Sequence, residues 1–121
     1  MALPARTLRS DIVLSTRLAD LSTAGSCFVV APCRCRVVRA YSVIANAITV
    51  ANATWSLEIN DVAVTGSTAT VTQSGSAAGD VDSVEPTGAN IAYEGDNIEF
   101  VNAAGSTDTC ITHFYAVIRP F

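Results

Sequence analysis

Apolar and polar residues alternate along most of the chain with a period of two. Thr54-Trp55-Ser56-Leu57-Glu58-Ile59-Asn60 alternates without a fault, so Trp55, Leu57 and Ile59 share one face and Ser56 and Glu58 the other. Asn97-Ile98-Glu99-Phe100 repeats the pattern, and Thr68 to Thr72 reads as a Thr-rich strand. Asp11 to Leu18 reads as a strand with Ile12, Leu14 and Leu18 inward. Ser26 to Ala31 and Cys35 to Ala45 follow, separated by a turn around Pro32-Cys33-Arg34. Ile111 to Ile118 is a last, long strand. β-branched residues are abundant, and Gly, Asn, Asp and Pro punctuate the runs. Asn60-Asp61 reads as a hairpin turn, as does Glu94-Gly95-Asp96. The pattern predicts an all-β chain: a single-domain antiparallel β-sandwich or jelly-roll-like barrel with about seven to eight strands.

Two segments depart from simple alternation. Gln73 to Gly95 is long, rich in Gly and Ser, and weakly periodic, yet carries the apolar anchors Val81, Val84, Ile91 and Tyr93. A floppy linker has no use for them, so the segment reads as an ordered excursion over the sheet edge or a neighbouring subunit. In the last strand Ile111, His113, Tyr115 and Val117 lie on one side and Thr112, Phe114, Ala116 and Ile118 on the other. Both sides are largely apolar, so a loop or another chain is expected to cover the outer one. Residues 1–10 read as an arm that orders against a partner, and residues 11–121 as the domain.

Composition sharpens this picture. Half of the 121 residues are apolar, so a core is available without staples, while only 15% are charged against roughly 25% in ordinary soluble domains. All the basic residues are Arg, and Ser, Thr, Asn and Ala take the place of charge. Such a surface is expected to be covered by partners. A net charge of −4 argues against nucleic acid as ligand. The charge is unevenly spread: Arg6, Arg9, Arg17, Arg34, Arg36 and Arg39 against Asp11 and Asp20 give residues 1–40 a balance of +4, whereas Arg119 against nine acids gives the rest −8. This suggests a basic end and an acidic end. MALPARTLRS lacks the apolar stretch of a signal peptide, and Val37 to Val50 is too short and too polar to span a bilayer. No membrane partner is expected, and synthesis in the cytoplasm is.

Chemistry is sparse. His113, the single histidine, reads as a packed or surface strand residue rather than a catalytic base. Cys33, Cys35, Cys110 and His113 superficially offer three thiolates and an imidazole for zinc. Cys-x-Cys lacks the usual spacer, however, and an offset of three places Cys110 and His113 on opposite faces of a strand. The four thiols, including Cys27, are expected to be free and mostly buried, with disulfides as the alternative in an oxidising medium. Asp80, Asp82 and Glu85 resemble the start of a calcium loop but lack its later Gly and Glu. Phosphate-binding glycine loops and the nucleophile elbow do not occur. No catalytic residue, metal or cofactor is expected.

Several segments, in order, resemble the small head-decoration (capsid cement) proteins of tailed bacteriophages. They are Ser15 to Ala24, Phe28 to Pro32, Arg36 to Ile44, Ala47 to Ala53, Gly75 to Ser83, Pro86 to Asn90 and Glu94 to Phe100. The likeness is one of segment order and composition over about residues 12–118; Cys33 and Cys35 after Pro32 depart from it. The resemblance implies a jelly-roll-like virion protein on the outer capsid surface that stabilises the expanded head. Its implied partners are the major capsid protein and, as a homotrimer, itself. Arg6, Arg9 and Arg17 would then form the capsid-binding arm, and Val81, Val84, Ile91, Tyr93, His113 and Tyr115 a subunit interface. The competing reading is a receptor- or carbohydrate-binding jelly-roll module of a head or tail fibre, which needs an exposed aromatic platform. With Trp55 facing inward, Tyr41, Tyr93 and Tyr115 are its candidates.

Overall fold

Among the described residues the alternating segments form ten strands: β1 (Ile12–Leu18), β2 (Gly25–Val30), β3 (Cys35–Ile44), β4 (Ala53–Ile59), β5 (Val62–Ala63), β6 (Ala69–Val71), β7 (Val81–Val84), β8 (Ile91–Ala92), β9 (Asn97–Ala104) and β10 (Thr112–Pro120). The computed structural model describes residues 11–121. The strands make two antiparallel sheets packed face to face. One has the order β1-β10-β3-β7, with β8 also on β3, and the other β2-β9-β4-β5, with β6 also on β4. First pairs with last, second with next to last, third with the β7–β8 segment, and fourth with fifth, which is the winding of a jelly roll. The sheets stay separate and do not close into a barrel. The extra strands beyond the expected seven or eight are short: β5 and β8 have two residues each.

Inward positions follow the alternation. Trp55, Leu57 and Ile59 from β4, Ile98 and Phe100 from β9, and Phe114, Ala116 and Ile118 from β10 are all buried. At the centre Trp55, Phe100 and Phe114 pack ring against ring, with centroids 4.9–6.0 Å apart. One polar link crosses this core: the Trp55 indole N–H donates to Ser42 Oγ at 3.0 Å, joining the two sheets. Buried Asn102 donates through Nδ2 to the carbonyls of Leu21 and Thr23, pinning the β1–β2 connection.

Two bulges adjust the faces. On β3 the register steps from Val117↔Arg39 to Ile118↔Val37, leaving Val38 as the extra residue. Val37 and Ala40, three apart, therefore both face inward, while Arg36 and Arg39 both face out. On β9 a similar step passes over Ala103. Asn60 and Asp61 take φ of 49° and 67°, the type I′ geometry of the expected β4–β5 hairpin. Glu94-Gly95-Asp96 is also a turn, with Gly95 at φ 89°, but it carries the chain from β8 in one sheet to β9 in the other and makes no hairpin. The segment from Gln73 to Gly95 is ordered by strands: β7 and β8 both pair with β3 and complete one edge of its sheet.

Candidate interaction surface

The outer face of the β1 sheet is built from every second residue of four strands. Register brings Arg17, His113, Val43 and Val81 into one row across the sheet, and Ser15, Tyr115, Tyr41 and Ser83 into the next. Val13, Val117 and Arg39 form the third row, with Glu85 just beyond β7. Tyr41 and Tyr115 are cross-strand partners at the centre of the sheet, both half-buried, with Val43 and Val117 beside them. Among the described residues no segment lies on this face, and His113, Val13 and Val81 are exposed.

Charge borders the apolar rows. Asp11 accepts two hydrogen bonds from Arg119, at 2.8 and 3.0 Å, and this hydrogen bonding holds the Asp11 carboxyl below the ordinary carboxylate range. Arg39 pairs with Glu85 and donates to Tyr41 Oη at 3.3 Å. These residues, with Val38, Tyr41 and Val117, line a depression of about 440 Å³. The face therefore offers tyrosines, valines and fork-shaped arginines. Aromatic residues and Arg are enriched at the centre of protein–protein contacts, where Lys is depleted.

The opposite face, on the β2 sheet, differs in sign. Glu58 and Glu99 are direct cross-strand partners, and Asp61 in the adjoining turn completes a set whose carboxylate oxygens lie within 4.8 Å of one another. Like charges so placed repel, which leaves this face strongly negative. Among the described residues this is where metal-capable side chains converge.

The residues singled out from sequence are divided by the fold. Arg17, Val81, His113 and Tyr115 share the outer face of the β1 sheet, although Arg17 belongs to a strand rather than an arm. Arg6 and Arg9 lie outside the described residues. Val84 does not belong to a contact surface: it pairs with Ala40 and is only 8% exposed, because its position on β7 points into the core. Ile91 and Tyr93 are exposed but sit at the Cys35 end of β3, whereas Val81 pairs near its other end, so the six residues do not form one interface. The zinc set is taken apart. Cys35 lies opposite Pro120 and Cys110 precedes β10, so they are separated by most of that strand, about 30 Å. His113 points outward while Cys110 is buried, its thiol donating to the Asn46 carbonyl. All four cysteines are free. Burial pushes the Cys27 thiol up to about 11, and burial, with the Cys33 and Asp96 charges, also raises that of Cys35. The Asp80, Asp82 and Glu85 carboxylates turn to different surroundings: Asp80 accepts from the Ala77 N–H, Asp82 lies half-buried across from Ser42, and Glu85 holds Arg39.

No protein-family model matches the chain, and no curated protein matches it. The geometry of its surfaces is therefore the basis for a functional reading. Sequence reasoning named Tyr41 only as a candidate sugar platform, not as part of the subunit interface, and missed Val43. Their signal was present in the outward phase of the Cys35–Ala45 run, but it is visible only once β3 and β10 are known to be neighbours.

Proposed function

We propose that this protein is a non-enzymatic, structural component of a phage virion that docks on the outside of the capsid and stabilises the expanded head. The observation that carries the reading is the outer face of the β1 sheet, which no described segment covers, with Tyr41 and Tyr115 side by side among valines and arginines. A soluble monomer rarely leaves such a patch in water. The resemblance to capsid cement proteins supplies the partner, the major capsid protein, and a trimeric arrangement. The mechanism is mass action: a ligand that binds the expanded lattice and not the compact one stabilises the former, and many modest contacts add up around a shell.

The test is binding of the purified chain to expanded and to unexpanded phage capsid shells that lack it. Saturable binding to expanded shells alone, at a copy number that matches the lattice, with a raised shell disruption temperature, is the expected result. Tyr115→Ala should weaken binding about thirtyfold, the consequence of losing a central anchor of about 2 kcal/mol, while leaving the domain folded. Removing residues 1–10, and with them Arg6 and Arg9, should weaken it as well. Equal binding to both shell forms, or full affinity in the Tyr115 variant, would refute the proposal. Light scattering of the free and shell-bound protein tests the trimer.

A further inference from the structure

A second recess lies beyond the Tyr41 and Tyr115 rows, at the end of the sandwich where the β4–β5 turn meets the segment around β8. It is an open recess of about 440 Å³, lined by Ile59, Asn60, Val62, Asn90, Tyr93 and Asp96, with Ala89 and Ile91 at its side. This volume falls within the range of small-molecule sites, which are mostly apolar with a few convergent polar groups.

The polar groups here are held in place by the fold. Asp96 Oδ2 accepts the Tyr93 N–H at 2.8 Å, and Asn60 Oδ1 accepts the Asn97 N–H at 3.0 Å. The Tyr93 N–H, with the Asn60 side chain, keeps the Asp96 carboxyl below the ordinary carboxylate range, so it stands ionised with lone pairs to spare. Asn90 is 9% exposed, and its Nδ2 is committed to the Val37 carbonyl at 2.8 Å. Among the described residues nothing donates to its Oδ1, an acceptor with unused capacity on a lining residue. Tyr93 is 56% exposed, and its ring is braced by the Arg34 guanidinium 6.0 Å away, which itself stacks on Phe121.

We infer that this recess binds the pyranose ring of a neutral saccharide. The apolar face of a pyranose fits against an aromatic ring and the aliphatic wall of Ile59 and Val62, and its hydroxyls need acceptors, which the lining residues Asp96 and Asn90 offer. The site is independent of the capsid-docking reading. It touches the outer face of the β1 sheet only through Ile91, the cross-strand partner of outward-facing Arg36, and shares no residue with the rows that hold Tyr41 and Tyr115, so a copy docked by those rows would keep Tyr93 and Asp96 free.

Titration of the ¹⁵N-labelled full chain with the methyl glycosides of glucose, galactose, mannose and N-acetylglucosamine tests the inference. The expected result is a saturable shift of the amides of Asn60 to Val62 and Asn90 to Asp96 with at least one of them, at a Kd on the order of 1 mM. Tyr93→Ala should weaken that binding at least about tenfold with the spectrum otherwise folded, because its side chain is largely in solvent. Tyr115→Ala should leave it unchanged while weakening shell binding, so the two sites fail or succeed separately. Shifts with none of the four sugars, shifts that map instead to Tyr41 and Tyr115, or undiminished binding by the Tyr93 variant would overturn it.

Discussion

Replacing Ser42 by Ala removes the acceptor of the one side-chain hydrogen bond described between Trp55 and the opposite sheet. Both residues are buried, at 0% and 1% exposure, so water cannot replace the lost partner. An orphaned buried N–H costs about 1–3 kcal/mol. For a domain of this size the unfolding entropy is about 0.25 kcal/mol/K, so Tm should fall by about 4–12 °C. Trp55→Phe removes the donor and also leaves a void beside Phe100 and Phe114, so its cost exceeds the hydrogen bond alone. In the Ser42→Ala background only the void remains to be charged to it. The double-mutant cycle should therefore show a coupling of about 1–3 kcal/mol. Denaturant unfolding followed by far-ultraviolet circular dichroism measures all four corners, including those without the tryptophan signal. A Ser42→Ala variant within about 0.5 kcal/mol of the parent, with additive double-mutant energies, would refute the reasoning.

Two further perturbations test local geometry and charge. Gly105 has φ of 119°, and a Cβ there would stand 2.3 Å from the Asn52 carbonyl oxygen, so Gly105→Ala should cost at least about 2 kcal/mol in denaturant unfolding, against about 1 kcal/mol for Gly75→Ala, whose φ is positive but whose surroundings are open. Asp82 has its carboxyl pushed up by burial and then by the Asp80 charge. A carboxyl raised on folding contributes stability below its unfolded pKa that is lost as pH rises through the folded value, so the ionised group is a burden at neutral pH. Asp82→Asn should therefore raise Tm at pH 7, with the gain fading in acid below the ordinary carboxylate range; an equal Tm difference across that range would contradict the assignment.

The strands were legible because each pays out its own alternation: Trp55, Leu57 and Ile59 had to share a face, and so did Phe114, Ala116 and Ile118. The hairpin at Asn60-Asp61 was equally local. What stayed hidden depends on contacts distant in the chain. The Val38 bulge appears only when β3 is laid against β10, and without it Val37 and Ala40 would be assigned to opposite faces. Val84 and Val81 look alike as apolar anchors of one loop. They part company because β7 is a strand, and three positions along a strand reverse the side chain. The zinc set failed for a related reason: spacing along a chain says little about distance when a strand as long as β10 lies between the candidates. The recess beneath Tyr93 could not be read either, since its walls come from β4, β5 and the turns flanking β8.

The charge asymmetry of the chain acquires a physical form through the winding of the fold. Early residues supply β1 and β3, and the last strand supplies β10, and all three fall in one sheet. Arg17, Arg36, Arg39 and Arg119 are thereby gathered on it, though 102 positions separate the first from the last. The acids Glu58, Asp61 and Glu99 come from the middle and later parts of the chain and fall on the other sheet, where among the described residues no strand contains an arginine. A basic segment and an acidic segment in sequence thus become two faces of one slab. Asp11 and Glu85 neutralise two of the arginines on the first face, while Glu58 and Glu99 stand opposed across the second with no cation paired to them among the described residues. A slab of this kind orients itself in an external field. Near an acidic partner such as the proposed capsid surface, it would present the arginine and tyrosine face and turn its carboxylates away. Salt should consequently slow its association more than it speeds release, because steering acts at a distance and the apolar tyrosine contact does not.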